Sequence, residues 1–112
     1  LKNDVTAGNF IEMVRSKIGA KTFVKHFSYI GDSSVGSCVN IGAGTVTANF
    51  DGLKKNNTVI KDKVNIGSDT IIVAPVVIGK FAVTGAGAVV TKNVPDKSIV
   101  VGVPAKILRK KR

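Results

Sequence analysis

Small or branched side chains recur every six residues along most of this sequence, and that period leaves few folds open. Ile60, Ile66, Ile72, Ile78, Thr84 and Val90 follow one another without a break, and four places after each stands another such residue: Val64, Thr70, Val76, Ala82, Ala88 and Val94. Upstream, Ile18, Val24 and Ile30 keep the spacing, Val35 and Ile41 resume it after a five-residue step, and Val5 and Ile11 form an earlier run. Six is neither the period of a helix nor the plain alternation of a lone strand. It fits a short flat strand plus a turn, with three such units closing one triangular coil. The period therefore predicts an all-β chain, a parallel β-helix of stacked hexapeptide units. Gly follows the inward residue in Ile18-Gly19, Ile30-Gly31, Ile41-Gly42, Ile66-Gly67 and Ile78-Gly79, which predicts corners that need unusual backbone angles.

Two stretches depart from the repeat. Residues 48–58 carry no inward position in this scheme and contain Asp51-Gly52, a strong turn signal, so they are expected to form a loop thrown out of the coil. Loops on rigid scaffolds are frequent carriers of function. After residue 102 the pattern stops, and 103–112 are expected to be a basic tail or a short helix behind a β-helix domain of 1–102.

Composition excludes several classes. Cys38 is the sole cysteine, so no internal disulfide forms, and His26 is the sole histidine, so no site of three histidines exists for catalytic zinc; no metal is expected in this chain. No apolar run approaches the ~20 residues of a membrane span and no signal segment is visible, which predicts a cytoplasmic protein without a membrane partner. The net charge of +10 is concentrated at one end: five of the 17 basic residues lie in 106–112, leaving twelve against seven acidic ones and a body of +5. That body suits a small anionic ligand such as a phosphorylated sugar or a coenzyme. With five Phe, one Tyr and no basic helix, nucleic acid is not the expected partner.

His26 lies two places after the inward Val24, so its side chain should reach the coil surface, where a neutral imidazole can take a proton near pH 7. The blocks Gly-Asn-Phe-Ile-Glu-Met (8–13), His-Phe-Ser-Tyr-Ile-Gly-Asp (26–32), Val-Asn-Ile-Gly-Ala-Gly-Thr (39–45), Asn-Phe-Asp-Gly (49–52) and Ile-Gly-Ser-Asp-Thr (66–70) occur in that order. Over nearly all of 8–100 they resemble the C-terminal domain of the bacterial bifunctional N-acetylglucosamine-1-phosphate uridyltransferases / glucosamine-1-phosphate N-acetyltransferases. The resemblance implies a left-handed coil, a homotrimer with sites between subunits, and acetyl transfer from acetyl-CoA to the amine of glucosamine 1-phosphate. It implies His26 as general base and Asn49 beside the acetyl group and the amine. Tyr29, Asn40, Lys55 and Arg15 are implied to bind the sugar phosphate, and Ala43, Asn49, Phe50, Ser68, Ala86 and Lys106 to bind acetyl-CoA. It also implies an upstream nucleotidyltransferase domain that uses Mg²⁺ and UTP.

Three positions depart from the family pattern. Val14 stands where the family has a phosphate-binding lysine, leaving Arg15 or Lys17 as substitutes. Gly102 stands where it has an arginine for the coenzyme A phosphate, leaving Lys106 or Arg109. A further family arginine would precede Leu1. The ending Gly-Val-Pro-Ala-Lys (102–106) resembles hexapeptide acyltransferases outside this family, which keeps another acyl acceptor open. A non-catalytic trimerising β-helix is the remaining alternative, although stacking coils requires neither His26 nor Asn49.

Overall fold

The computed structural model describes residues 4–49 and 55–110, and these form a β-solenoid of parallel strands with no helix. Three short strands make each coil. The first coil holds β1 (Thr6–Ala7), β2 (Glu12–Val14) and β3 (Lys17–Ile18), and the second β4 (Phe23–Val24), β5 (Tyr29–Gly31) and β6 (Ser33–Val35). The third holds β7 (Asn40–Ile41), β8 (Val46–Ala48) and β9 (Thr58–Ile60), and the fourth β10 (Asn65–Ile66), β11 (Ile71–Val73) and β12 (Val76–Ile78). β13 (Val83–Thr84) and β14 (Val89–Val90) begin the fifth, whose third side meets the fourth coil at the Ile78–Val94 pair; β15 (Ser98–Val101) and β16 (Lys106–Lys110) follow. The first wall stacks β1-β4-β7-β10-β13-β15-β16, the second β2-β5-β8-β11-β14 and the third β3-β6-β9-β12.

The six-residue register is the core. Ile30, Ile41, Ile66, Ile72 and Ile78 are fully buried, and Ile18, Val24, Ile60, Thr84 and Val90 nearly so. The second set is also interior: Val64, Thr70, Val76, Ala82, Ala88 and Val94 are all buried. Val5 and Ile11 reach only partial burial, because their coil has a neighbour on one side alone among the described residues. Two inward threonines satisfy their hydroxyls at corner carbonyls, Thr45 donating to Gly42 O and Thr70 to Gly67 O, each at 2.7 Å, whereas the buried Thr58 hydroxyl has no partner among the described residues.

The corners differ from expectation in an instructive way. The glycines after the inward residues do not carry the left-handed bends. Those fall on other residues: on Gly44, Gly87 and Gly102, and on non-glycine residues, among them Phe10, Arg15, Lys21, Phe27, Asp32, Cys38, Lys63 and Lys97, the latter with φ between 47° and 60°. The glycines after the inward residues serve close approach instead. A Cβ on Gly19 would lie 2.5 Å from the carbonyl of Gly36, and one on Gly42 would lie 2.6 Å from the Ser68 nitrogen.

Two boundaries also shift. β8 runs through Ala48 and β9 starts at the fully buried Thr58, so both ends of the expected 48–58 loop belong to walls, and Thr58 supplies an inward position there. The two sides meet where the Asn56 N–H donates to the Asn49 carbonyl at 2.5 Å. The C-terminal segment is neither a free tail nor a helix: Lys106–Lys110 reverses direction and pairs antiparallel with β15. Val100 and Val101 present an open strand edge, and hydrogen bonding to it outweighs the weak propensity of a five-residue helix.

Ile72→Ala removes a fully buried side chain from a coil packed on both sides, so urea denaturation should show a loss of about 3 kcal/mol. The exposed Lys92→Ala should stay within about 0.5 kcal/mol of the parent.

Candidate functional site

The corner between the first and second walls stacks one residue per coil. Backbone hydrogen bonds link its members directly: Phe27 N to Asn9 O, Gly44 N to His26 O, Asp69 N to Ala43 O and Gly87 N to Ser68 O, at 2.8–3.2 Å. Asn9, His26, Ala43, Ser68 and Ala86 thus form a single column, in which the imidazole is followed by three small side chains. Beside the column lies an open groove of about 380 Å³ whose lining includes Lys25, His26, Asn40, Ala43, Asn65 and Ser68. Four residues singled out from sequence, His26, Asn40, Ala43 and Ser68, therefore meet in one place. Asn40 sits in β7, where its Nδ2 donates to Asn65 Oδ1 of the next coil at 3.2 Å. His26 is exposed, and its ring stands edge-on to Phe27 with centroids 5.1 Å apart; Phe27 in turn stacks on Phe10. The column ends near Lys106: Gly85 lies against Val101, whose partner across the antiparallel pair is Lys106.

The remaining expected site residues gather at the next corner, between the second and third walls. Arg15, Asp32 and Asn49 occupy equivalent positions there, each 17 residues from the last. Arg15 donates from Nε to Asp32 Oδ1 at 2.6 Å and from Nη2 to Oδ2 at 3.0 Å, while Asn49 donates from Nδ2 to Oδ2 at 2.6 Å. Arg15 is accordingly an ion-pair partner rather than a cation standing alone. Tyr29 begins β5, and its phenol reaches the same corner, since a Cβ on Gly31 would meet both Tyr29 Oη at 2.5 Å and Asn49 Nδ2 at 2.7 Å. Lys55 is exposed close enough to act on Asp32 electrostatically. Phe50 lies outside the described residues.

Asp32 went unassigned in the sequence reading. The signal that finds it is the coil length itself: at 17 residues per coil, Arg15, Asp32 and Asn49 are neighbours in space. The two clusters flank the three-residue strand β5.

No protein-family model matches the chain. It is 51% identical over 102 residues to the bifunctional protein GlmU of Thermosipho africanus, a match covering 91% of this chain and 23% of that protein. Against GlmU of Thermotoga maritima the identity is 53% over 102 residues, again with 91% and 23% covered. The chain is thus a relative of these proteins over nine-tenths of its own length, and spans less than a quarter of theirs. Among solved structures, a hexapeptide-repeat acetyltransferase from Vibrio cholerae aligns with the whole chain at a TM-score of 0.92 and 26% identity, over 73% of that protein's chain. The same acetyltransferase has been crystallised with acetyl coenzyme A.

The charges at the second corner are mutually supporting. The Asp32 carboxyl is held below the ordinary carboxylate range, foremost by its hydrogen bond from Arg15; partial desolvation opposes this, while the Asn49 amide and the charges of Arg15 and Lys55 add to it. Arg15 is held correspondingly above its ordinary value by its hydrogen bond to Asp32, with a smaller contribution from Tyr29. A depressed folded value means that the pair stabilises the fold fully above the unfolded carboxylate value of about 3.9, and ceases to as pH falls through the folded value. Asp32→Asn should therefore be less stable than the parent at neutral pH, with the gap in urea midpoint closing below about pH 4. The gap should also shrink in high salt, since Arg15 is half exposed.

Proposed function

We propose that this chain is the acetyltransferase segment of a bifunctional sugar-phosphate enzyme, moving the acetyl group of acetyl-CoA to the amine of glucosamine 1-phosphate. The observation that carries the reading is the corner column, in which His26 is followed on successive coils by Ala43, Ser68 and Ala86. An extended pantetheine arm needs a shallow track past small side chains, and the track leads its thioester to a group able to take a proton. The sequence similarity to GlmU proteins and the acetyl-CoA complex of a similar solenoid support the same reading.

In this scheme His26 removes a proton from the amine as nitrogen attacks the thioester carbon. The tetrahedral intermediate collapses, the C–S bond breaks, and coenzyme A leaves as thiolate and then thiol. General-base assistance of this kind contributes about 10²–10⁴-fold. Asn49 lies beside the reacting groups, and Asn40, Tyr29, Lys55 and Arg15 hold the sugar phosphate. Lys106, at the far end of the column, meets a coenzyme phosphate. The product, N-acetylglucosamine 1-phosphate, would pass to a nucleotidyltransferase domain using UTP and Mg²⁺, supplied by chain beyond these 112 residues.

The division of site residues between two corners supports a homotrimer. His26 and Asn49 lie on opposite sides of β5, about 10 Å of extended backbone, so a neighbouring subunit closes the groove that one chain leaves open. Light scattering coupled to size exclusion should give roughly three times the 11.7 kDa chain mass. A stable monomer would sink the shared site.

Thiol release with acetyl-CoA should be far more efficient in kcat/KM with glucosamine 1-phosphate than with glucosamine, whose missing phosphate leaves Lys55 without a partner. His26→Ala should keep the fold, since the side chain is exposed, and lose about 10² or more in rate. Equal efficiency with the two acceptors would overturn the substrate and favour an acyltransferase of different acceptor, as the ending Gly102-Val103-Pro104-Ala105-Lys106 would suit.

A further inference from the structure

Among the described residues the side chain of Asn49 hydrogen-bonds to Asp32, which is an acceptor only. Asp32 Oδ2 takes a hydrogen from Asn49 Nδ2 at 2.6 Å, while Arg15 grips both oxygens of the same carboxylate. A carboxylate so held offers lone pairs and no proton. Rotating the Asn49 amide by half a turn would bring its Oδ1 against Asp32 Oδ2, two acceptors facing each other in a site where Asn49 is 7% exposed. The amide therefore has one orientation, with Nδ2 toward Asp32 and Oδ1 turned away. The backbone around it is fixed too, because the Asn49 carbonyl accepts from Asn56 N–H and Asp32 N–H donates to Val14 O at 2.8 Å. Gly31 leaves open the space in which the Asn49 amide and the Tyr29 hydroxyl converge.

We infer that Asp32 is a positioning residue for Asn49: anchored by Arg15 on the preceding coil, it locks the carboxamide so that Oδ1 is presented as a hydrogen-bond acceptor. The inference rests on the reading that Asn49 stands beside the acceptor amine. Attack on a thioester requires the amine to aim its lone pair at the carbonyl carbon. An amide oxygen fixed in place accepts one N–H of that amine and sets its direction, while the base takes the other proton. Arg15 acts one step further back, keeping Asp32 ionised and its oxygens in place. The three residues thus form a relay of position rather than of protons.

Asp32→Asn is the discriminating change. Asparagine tolerates the left-handed backbone found at this residue, where φ is 47°, and it can pair with either orientation of the Asn49 amide. The variant should lose roughly tenfold or more in kcat, with KM for acetyl-CoA changed by less than about twofold. The double variant Asp32→Asn/Asn49→Ala should be no slower than Asn49→Ala alone, because both changes remove the same fixed acceptor. A wild-type kcat in Asp32→Asn, or losses that multiply in the double variant, would overturn the inference. A second readout needs no catalysis: in ¹H–¹⁵N spectra of the parent chain, the Asn49 side-chain amide signal should shift as Asp32 is titrated with acid. If that signal ignores the titration, the contact is absent and the inference fails, whether or not Asp32→Asn folds. If the signal follows Asp32 while the parent transfers no acetyl group, the orientation by Asp32 holds and it is the acetyl-transfer reading that falls.

Discussion

The hydrogen bonds between coils run through the corners as well as the walls: Asn9 to Phe27, His26 to Gly44, Ala43 to Asp69 and Ser68 to Gly87 on one edge, Val14 to Asp32 and Asp32 to Thr58 on another. Such continuity requires every coil to bring its chain back to the same place with the same bend, which is why left-handed φ values recur at equivalent positions despite costing of order 1 kcal/mol each. Once that registry is met, residues far apart in sequence are forced into columns. The candidate site residues fall in two such columns. The core, by contrast, tolerates Ile, Val, Thr and Ala in equivalent places, since its demand is for volume and not identity.

What could be read from the residues alone follows from this geometry. Inward positions announce themselves through hydrophobicity, and Ile60 through Val94 were legible as a core because burial selects the residue type directly. The corner column of His26, Ala43 and Ser68 was legible only by resemblance, because an alanine at a corner and an alanine in the core look alike in a sequence. Asp32 was missed for a different reason: its importance lies in two partners 17 residues to either side, and that spacing acquires meaning only when the coil length is known. Glycine was misjudged at the corners because two physical needs, free backbone angles and closely spaced backbones, leave the same residue in a sequence. Strand β16 was illegible since its driving force is an open edge on β15, a property of the assembled wall and not of residues 106–110.

The two clusters also divide the electrostatic labour. At the second corner the acid and base neutralise each other, so Asp32 and Arg15 together add little net field, and the exposed Lys55 also acts on Asp32. At the first corner the groove is lined by uncharged amides and small residues apart from Lys25 and His26. Strong coupling between opposite charges is thus confined to the second corner, while the first presents mostly neutral groups.

The reversed strand at the end of the first wall bears on solubility. A stack of parallel strands terminates in unpaired N–H and C=O groups, and an identical molecule could dock there edge to edge and propagate into a fibre. In this protein the outermost strand of that wall is antiparallel and carries Lys106, Arg109 and Lys110, all exposed. Two such edges meeting would bring like charges together along their length, and the change of direction breaks the parallel register that another coil would need. Lys106, Arg109 and Lys110 thus stand where their charge and reversed direction oppose edge-to-edge stacking on that wall.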